Sequence, residues 1–143
     1  MIHHGGLLAM RLAEGWRGAL IEGESGSGKS DLALRALDAG WSLIADDQTL
    51  LWVSGERLYG RAPDPLSGLL EVRGLGVLPT AGRRLVEIAL VVRCVDAEAI
   101  ERLPGDETCL LLGVTLPLVR LAALQPSAPA KLSRALTHIG LRH

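Results

Sequence analysis

A chain of 143 residues, 48% of them apolar, is long enough for one hydrophobic core and short for two, so a single domain over residues 1–143 is expected. The net charge of -1, with no basic stripe, excludes the electrostatic footprint of a nucleic-acid binder. No apolar run approaches the roughly 20 residues that span a bilayer, and Met1-Ile2-His3-His4 lacks the charged start of a secretion signal, so a cytoplasmic protein without a membrane partner is expected. Cys94 and Cys109 have neither metal-ligand nor C-x-x-C spacing and read as small buried hydrophobes.

In chain order, Gly5 to Met10 and Arg17 to Ile21 read as two strands joined by a turn, with His3 and His4 at the start of the first. Next comes Gly23-Glu24-Ser25-Gly26-Ser27-Gly28-Lys29-Ser30, which meets G-x-x-x-x-G-K-S/T at every fixed position. It lies between a strand and the helical pattern Asp31 to Ala39, which carries Leu32, Ala33, Ala36 and Leu37 on one face and is followed by Gly40. Strand, Gly-rich turn and helix is the order a phosphate-binding loop requires. Its glycines let backbone N–H groups wrap an anion, and the helix N-terminus adds its positive end. Lys29 would then reach the β and γ phosphates of a nucleotide, and the Ser30 hydroxyl would coordinate Mg²⁺.

Trp41 to Asp47 is an apolar strand ending in two carboxylates, the pattern that holds Mg²⁺ opposite a phosphate-binding loop. A regular strand would aim only one of Asp46 and Asp47 at the nucleotide, so using both requires a bend. Leu50 to Val53, Ser54 to Arg57 and Leu58-Tyr59 read as strand, turn and strand, an antiparallel hairpin where most small P-loop proteins place a crossover helix. The D-x-x-G and N-K-x-D elements of a GTPase are missing. Leu69 to Leu78 alternates as a strand would, which puts Glu71 and Arg73 on one face. That pair reads either as a holder of a second Mg²⁺ that also stabilises transferring charge or as a surface ion pair. Leu85 to Val95 is a buried strand, Asp96 to Leu103 a short helix, Thr108 to Val114 and Leu116 to Leu121 further strands. Ser127 to His138 is a closing helix capped by Ser127 and stopped by Gly140.

Four stretches together resemble the catalytic domain of the HPr kinase/phosphorylase family, bacterial enzymes acting on a seryl residue of the phosphocarrier protein HPr. They are Gly23 to Leu34, Leu43-Ile44-Ala45-Asp46-Asp47, Gly60-Arg61-Ala62-Pro63 and Leu70-Glu71-Val72-Arg73-Gly74-Leu75-Gly76. The resemblance implies an α/β fold with a mixed, partly antiparallel sheet related to phosphoenolpyruvate carboxykinase, use of ATP and Mg²⁺, HPr as partner, and a hexameric homo-oligomer. By matching motif it implies function at His4, Lys29, Ser30, Asp47, Glu71 and Arg102. Asp47 would accept the seryl proton, Lys29 and Arg102 would bear phosphoryl charge, Ser30 and Glu71 would hold metal with Asp46 in support, and Arg73 is a second-rank candidate.

The chain departs from the long members in three ways. Their N-terminal domain is expected to be absent, as in the shorter alphaproteobacterial-type members. A few extra residues lie between His4 and Gly23, which leaves His3 as the alternative histidine. The Gly-Arg-Asn element tied to dephosphorylation has no counterpart, because Leu118-Val119-Arg120-Leu121 runs into Ala122-Ala123-Leu124-Gln125. The expectation is therefore a reversible HPr serine kinase, with a small-metabolite kinase and a non-catalytic nucleotide sensor as the alternatives.

Overall fold

The computed structural model describes residues 1–80 and 83–141. In chain order the elements are β1 (Ile2–His4), β2 (Gly6–Leu12), β3 (Gly15–Glu22), α1 (Lys29–Asp38), β4 (Ser42–Ala45), β5 (Gln48–Ser54), β6 (Arg57–Arg61), β7 (Leu69–Val72), β8 (Gly76–Pro79), β9 (Leu85–Cys94), β10 (Thr108–Leu111), β11 (Val114–Leu121) and α2 (Ala128–Ala135). The fold is α/β with a nine-stranded mixed sheet in the order β1-β5-β6-β9-β3-β2-β4, and β11 joins β9 with β10 at its outer side. The long strand β9 runs parallel to β3 and β11 and antiparallel to β6. Its first residues pair with β6 and its last with β11, so it exchanges one neighbour for another along its length. Pro117 sits where β11 leaves β10 and joins β9, a place in the ladder where a missing N–H is tolerated.

Only Asp46 and Asp47 separate β4, at one end of the strand order, from β5, near the other. So short a connection requires the sheet to curl round on itself. Leu7, Ala9, Leu20, Ile44, Leu51, Leu58, Ile88 and Val91 fill the inside of the curl. Leu8, Ala19, Ile21, Leu43, Leu90 and Val92 face the other way, against Leu32 and Ala36 of α1 and Leu132 and Ala135 of α2. Because strand side chains alternate between faces and both faces are covered, segments 19–21 and 90–92 are apolar without a break. The antiparallel hairpins expected at β2–β3 and β5–β6 are present.

The helices are tied together through the turn before α2. Arg35 of α1 donates to the Ala123 carbonyl, to the Gln125 carbonyl at 3.1 Å and to Asp31 at 2.8 Å. The Trp41 indole donates to the Ser133 hydroxyl at 3.0 Å. Replacing Arg35 with Met leaves two part-buried carbonyls without their charged donor, and thermal unfolding should report a loss of about 1–3 kcal/mol.

Several expectations are corrected. Leu69 to Leu78 is not one strand: Gly74, at φ 89°, reverses the chain after Arg73, and β7 pairs with β8 as a separate two-stranded sheet. Glu71 and Arg73 therefore do not share a strand face. Asp96 to Leu103 forms only a single 3₁₀ turn at Ala97–Ala99, because the segment has no apolar face to bury, Leu103 being 88% exposed. Ser127 makes no capping bond: it is already helical, and the Ala128 N–H bonds instead to the Gln125 carbonyl at 3.0 Å. The closing helix continues as a wider turn through Leu136–Gly140. Cys94 is buried as expected, whereas Cys109, on the outer strand β10, is only half-buried. Among the described residues no helix is long and apolar enough to cross a membrane.

Candidate functional site

The loop between β3 and α1 is closed by its own backbone. The Ser27 N–H bonds to the Glu24 carbonyl at 3.1 Å, and the Leu32 N–H to the Gly28 carbonyl at 2.9 Å, which starts the helix. Gly28 enters α1 at φ 94°, and a Cβ there would stand 2.8 Å from Leu124, so only glycine lets the loop meet the helix under that side chain. Lys29 is the first residue of α1, and its ammonium donates to the carbonyls of Gly23, at 2.5 Å, and Glu24, at 3.1 Å. The Ser27 hydroxyl oxygen is buried with no hydrogen-bond partner among the described residues. Cys94 lies behind the loop, and burial pushes its thiol up to about 11, against the opposing pull of the Lys29 charge. It is a neutral, inert thiol at ordinary pH.

Opposite the loop, β4 stops at Ala45 and the chain bends through the acidic pair. Asp47 adopts the left-handed conformation, φ 67°, which Asp tolerates better than most residues. The bend that would allow both carboxylates to be used is thus present. Asp47 is exposed to the cleft, and its carbonyl accepts the Gly5 N–H at 2.8 Å. Asp46 accepts the backbone N–H of Glu71 at 3.1 Å, tying the β7–β8 hairpin to the end of β4. Burial raises the Asp46 carboxyl above the usual carboxylate range, the Glu71 N–H opposes this, and the charges of Asp47 and Glu71 add to it. A cation here would relieve that cost.

A cleft of about 740 Å³ joins these parts and is lined by His4, Gly23, Ser25, Gly26, Gly28, Lys29, Ser30, Asp47, Glu71 and Arg73, among others. A narrow pocket of about 10 Å³, room for one water-sized occupant, lies where Lys29 and Ser30 meet Asp46 and Asp47. Of the two histidines, His4 lines the cleft, while His3 points to the other side of β1 and bonds Glu22 at 3.0 Å. Glu24 belongs to the loop and is exposed. Arg102 is not brought to this site: it stands exposed on segment 100–107 and is not among the residues lining the cleft. Asp31, Leu34 and Leu124 line the cleft without having been expected there. Nothing in the local sequence around Leu124 signals its place, since the turn that carries it is held to α1 by Arg35, 88 to 90 residues away from the carbonyls it binds.

Among the described residues no three His, Cys, Asp or Glu side chains gather as a metal cage. One hydroxyl and one or two carboxylates facing a Gly-rich loop is instead a partial shell, which suits a Mg²⁺ whose remaining ligands are waters and phosphate oxygens. The donor set therefore fits Mg²⁺ with a nucleotide better than a metal held by protein alone. Chemically, the arrangement can hold a polyphosphate at a helix N-terminus and take a proton from a hydroxyl brought to Asp47.

Comparison with known proteins gives the same direction. The family described as HPr Serine kinase C-terminal domain matches residues 2–125. The HPr kinase/phosphorylase of Cupriavidus necator is 43% identical over 116 residues, covering 73% of this chain and 36% of that one. That of Leptothrix cholodnii is 43% identical over 93 residues, covering 59% of this chain and 29% of that one. The match thus spans about a third of the length of these relatives. Among solved structures, the Hpr(Ser) kinase/phosphatase from Coxiella burnetii has the same fold, with a TM-score of 0.81, 24% identity, and 96% of this chain and 94% of that chain covered.

Proposed function

The chain belongs to the HPr serine kinase C-terminal domain family, and from that premise we propose that it is an ATP- and Mg²⁺-dependent serine kinase of the phosphocarrier protein HPr that also runs in reverse as a phosphorylase. The observation that carries the proposal is that Asp47 and Glu71, distant in sequence from the phosphate-binding loop, line one cleft with its Lys29 and Ser30.

In the forward direction Asp47 accepts the proton of the seryl hydroxyl; in the reverse direction it returns that proton to the seryl oxygen. The ammonium of Lys29 exchanges loop carbonyls for the phosphates and bears the charge that develops on the transferring group, together with the loop N–H groups. Ser30 and Glu71, supported by Asp46, are the residues that would hold Mg²⁺, which when bound neutralises phosphate charge. His4 lines the cleft, where it would orient the incoming seryl segment. Within one chain the rim cation is Arg73 rather than Arg102. A cytoplasmic location and a homo-oligomer, hexameric by the family resemblance, complete the proposal.

The decisive experiment mixes the protein with ATP, Mg²⁺ and HPr from the same organism and locates phosphate by mass spectrometry; a single phosphoseryl HPr is expected. Turnover with a small acceptor and none on HPr would favour a small-metabolite kinase, and ATP binding without any product a nucleotide sensor. Glu71→Gln should raise the Mg²⁺ concentration for half-maximal rate by roughly 10-fold, in line with losses seen when metal-site groups are changed. An unchanged metal titration would return Glu71 to the solvent-exposed surface.

A further inference from the structure

Building on the kinase reading, we propose that His3 and Glu22, held by Arg93, are positioning residues that fix Asp47 and His4 in the cleft. The strand β1 has three residues and, among the described residues, pairs with β5 alone, so its backbone ladder is short. Neighbouring side chains on a strand point to opposite faces. His4 therefore turns to the cleft, and His3 turns to the inner side, where its Nε2 meets Glu22 Oε2 at 3.0 Å. The ionised Glu22 carboxylate can only accept, so the ring donates through Nε2–H, and His3 Nδ1 is buried without a partner among the described residues. Glu22 is the last residue of β3, immediately before Gly23 of the loop. Its other oxygen, Oε1, accepts from Arg93 Nε at 2.9 Å and Nη2 at 2.7 Å, and Arg93 stands directly opposite Glu22 in the β3–β9 register. One carboxylate is thus gripped from the central strand and grips β1.

The link runs on to the acidic pair through Gly5. The Ile21 carbonyl and the His3 ring both border the space beside Gly5: a Cβ there would stand 2.3 Å from the Ile21 carbonyl oxygen and 3.2 Å from His3 Nδ1. Gly5, two residues after His3, donates its N–H to the Asp47 carbonyl at 2.8 Å and accepts the buried Thr49 hydroxyl at 2.8 Å. Asp47 sits in a left-handed conformation that surrounding contacts must hold. His3 is the side chain of β1 that reaches β3, and Gly5 passes its hold to the backbone of Asp47. The sequence offers His3 only as an alternative to His4; the structure gives the two histidines separate tasks on opposite faces of one strand.

The test compares His3→Leu, which removes the donor, with His3→Gln, whose amide nitrogen can reach Glu22. In His3→Leu, kcat for HPr phosphorylation should fall by about 10- to 10²-fold, the scale of a small misplacement of a reacting group. The KM for ATP should stay unchanged, because no bond that closes the phosphate loop involves His3. His3→Gln should recover most of kcat. Hydrogen exchange should be faster at the Gly5 amide in His3→Leu, normal in His3→Gln, and normal in both at Leu90 in the core. Equal kcat and equal Gly5 exchange in the unmutated protein and His3→Leu would overturn the inference, as would a His3→Gln variant no better than His3→Leu. If the unmutated protein leaves HPr unphosphorylated, the kinase reading falls by that result alone. The exchange of Gly5 then still decides whether His3 holds the Asp47 backbone.

Discussion

Asp47→Asn should slow both phosphorylation of HPr and its reversal by about 10²- to 10⁴-fold, the usual weight of a positioned acid or base. Asn tolerates the left-handed conformation of Asp47 as well as Asp does, so the Gly5–Asp47 backbone bond survives and only proton transfer is lost. ATP binding should be unaffected. The neighbouring substitution should behave differently. Asp46 accepts the Glu71 N–H, and burial raises its carboxyl above the ordinary range. A carboxylic acid whose folded pKa is raised disfavours the folded state wherever it is ionised, at pH values above its unfolded pKa. Asp46→Asn removes that buried charge and keeps an acceptor for the Glu71 N–H. Stability at neutral pH, measured without metal, should hold or rise, while the rate falls through weaker Mg²⁺ binding. Excess Mg²⁺ should then restore Asp46→Asn and leave Asp47→Asn slow. Two variants that respond alike at every Mg²⁺ concentration would defeat this division of labour.

Chemistry concentrated in consecutive residues was legible in the sequence, and geometry that depends on distant segments was not. Gly23 to Ser30 could be read because a phosphate loop closes on its own backbone, as the Ser27–Glu24 and Leu32–Gly28 bonds do here. The antiparallel hairpin of β5 and β6 could be read because a tight turn between them leaves no room for a crossover helix, and the mixed sheet followed from the family resemblance. By contrast, Gly74 in Arg73-Gly74-Leu75 was compatible with a strand interior or a turn, and alternation alone favours the strand. The separation of His3 from His4 required knowing that β1 pairs with β5 and that its inner face meets Glu22, contacts made across the curl. Segment 96–103 has the composition of a helix, but Leu103 finds nothing to pack against. Short helices depend on such packing more than on propensity.

Lys29→Ala should lower kcat/KM for HPr phosphorylation by about 10²- to 10³-fold, as expected when a preorganised donor to a developing oxyanion is removed. The ammonium already sits at the mouth of the loop, bonded to the Gly23 and Glu24 carbonyls, and lines the same cleft as Ser30 and Asp47. Its present partners are neutral carbonyls, one of them exposed, so losing them should cost only about 1 kcal/mol of stability. Helix α1 retains its start through the Leu32–Gly28 bond and its buried face of Leu32, Ala33 and Ala36. Circular dichroism and thermal unfolding of Lys29→Ala should therefore stay close to those of the unmutated protein while activity collapses. Lys29→Arg should not rescue it, because a planar guanidinium cannot take the place of a compact ammonium within a loop this tight. Full turnover in Lys29→Ala would remove the phosphate-binding role from the loop, and a collapse of the fold would mean that the Lys29 bonds to Gly23 and Glu24 serve structure first.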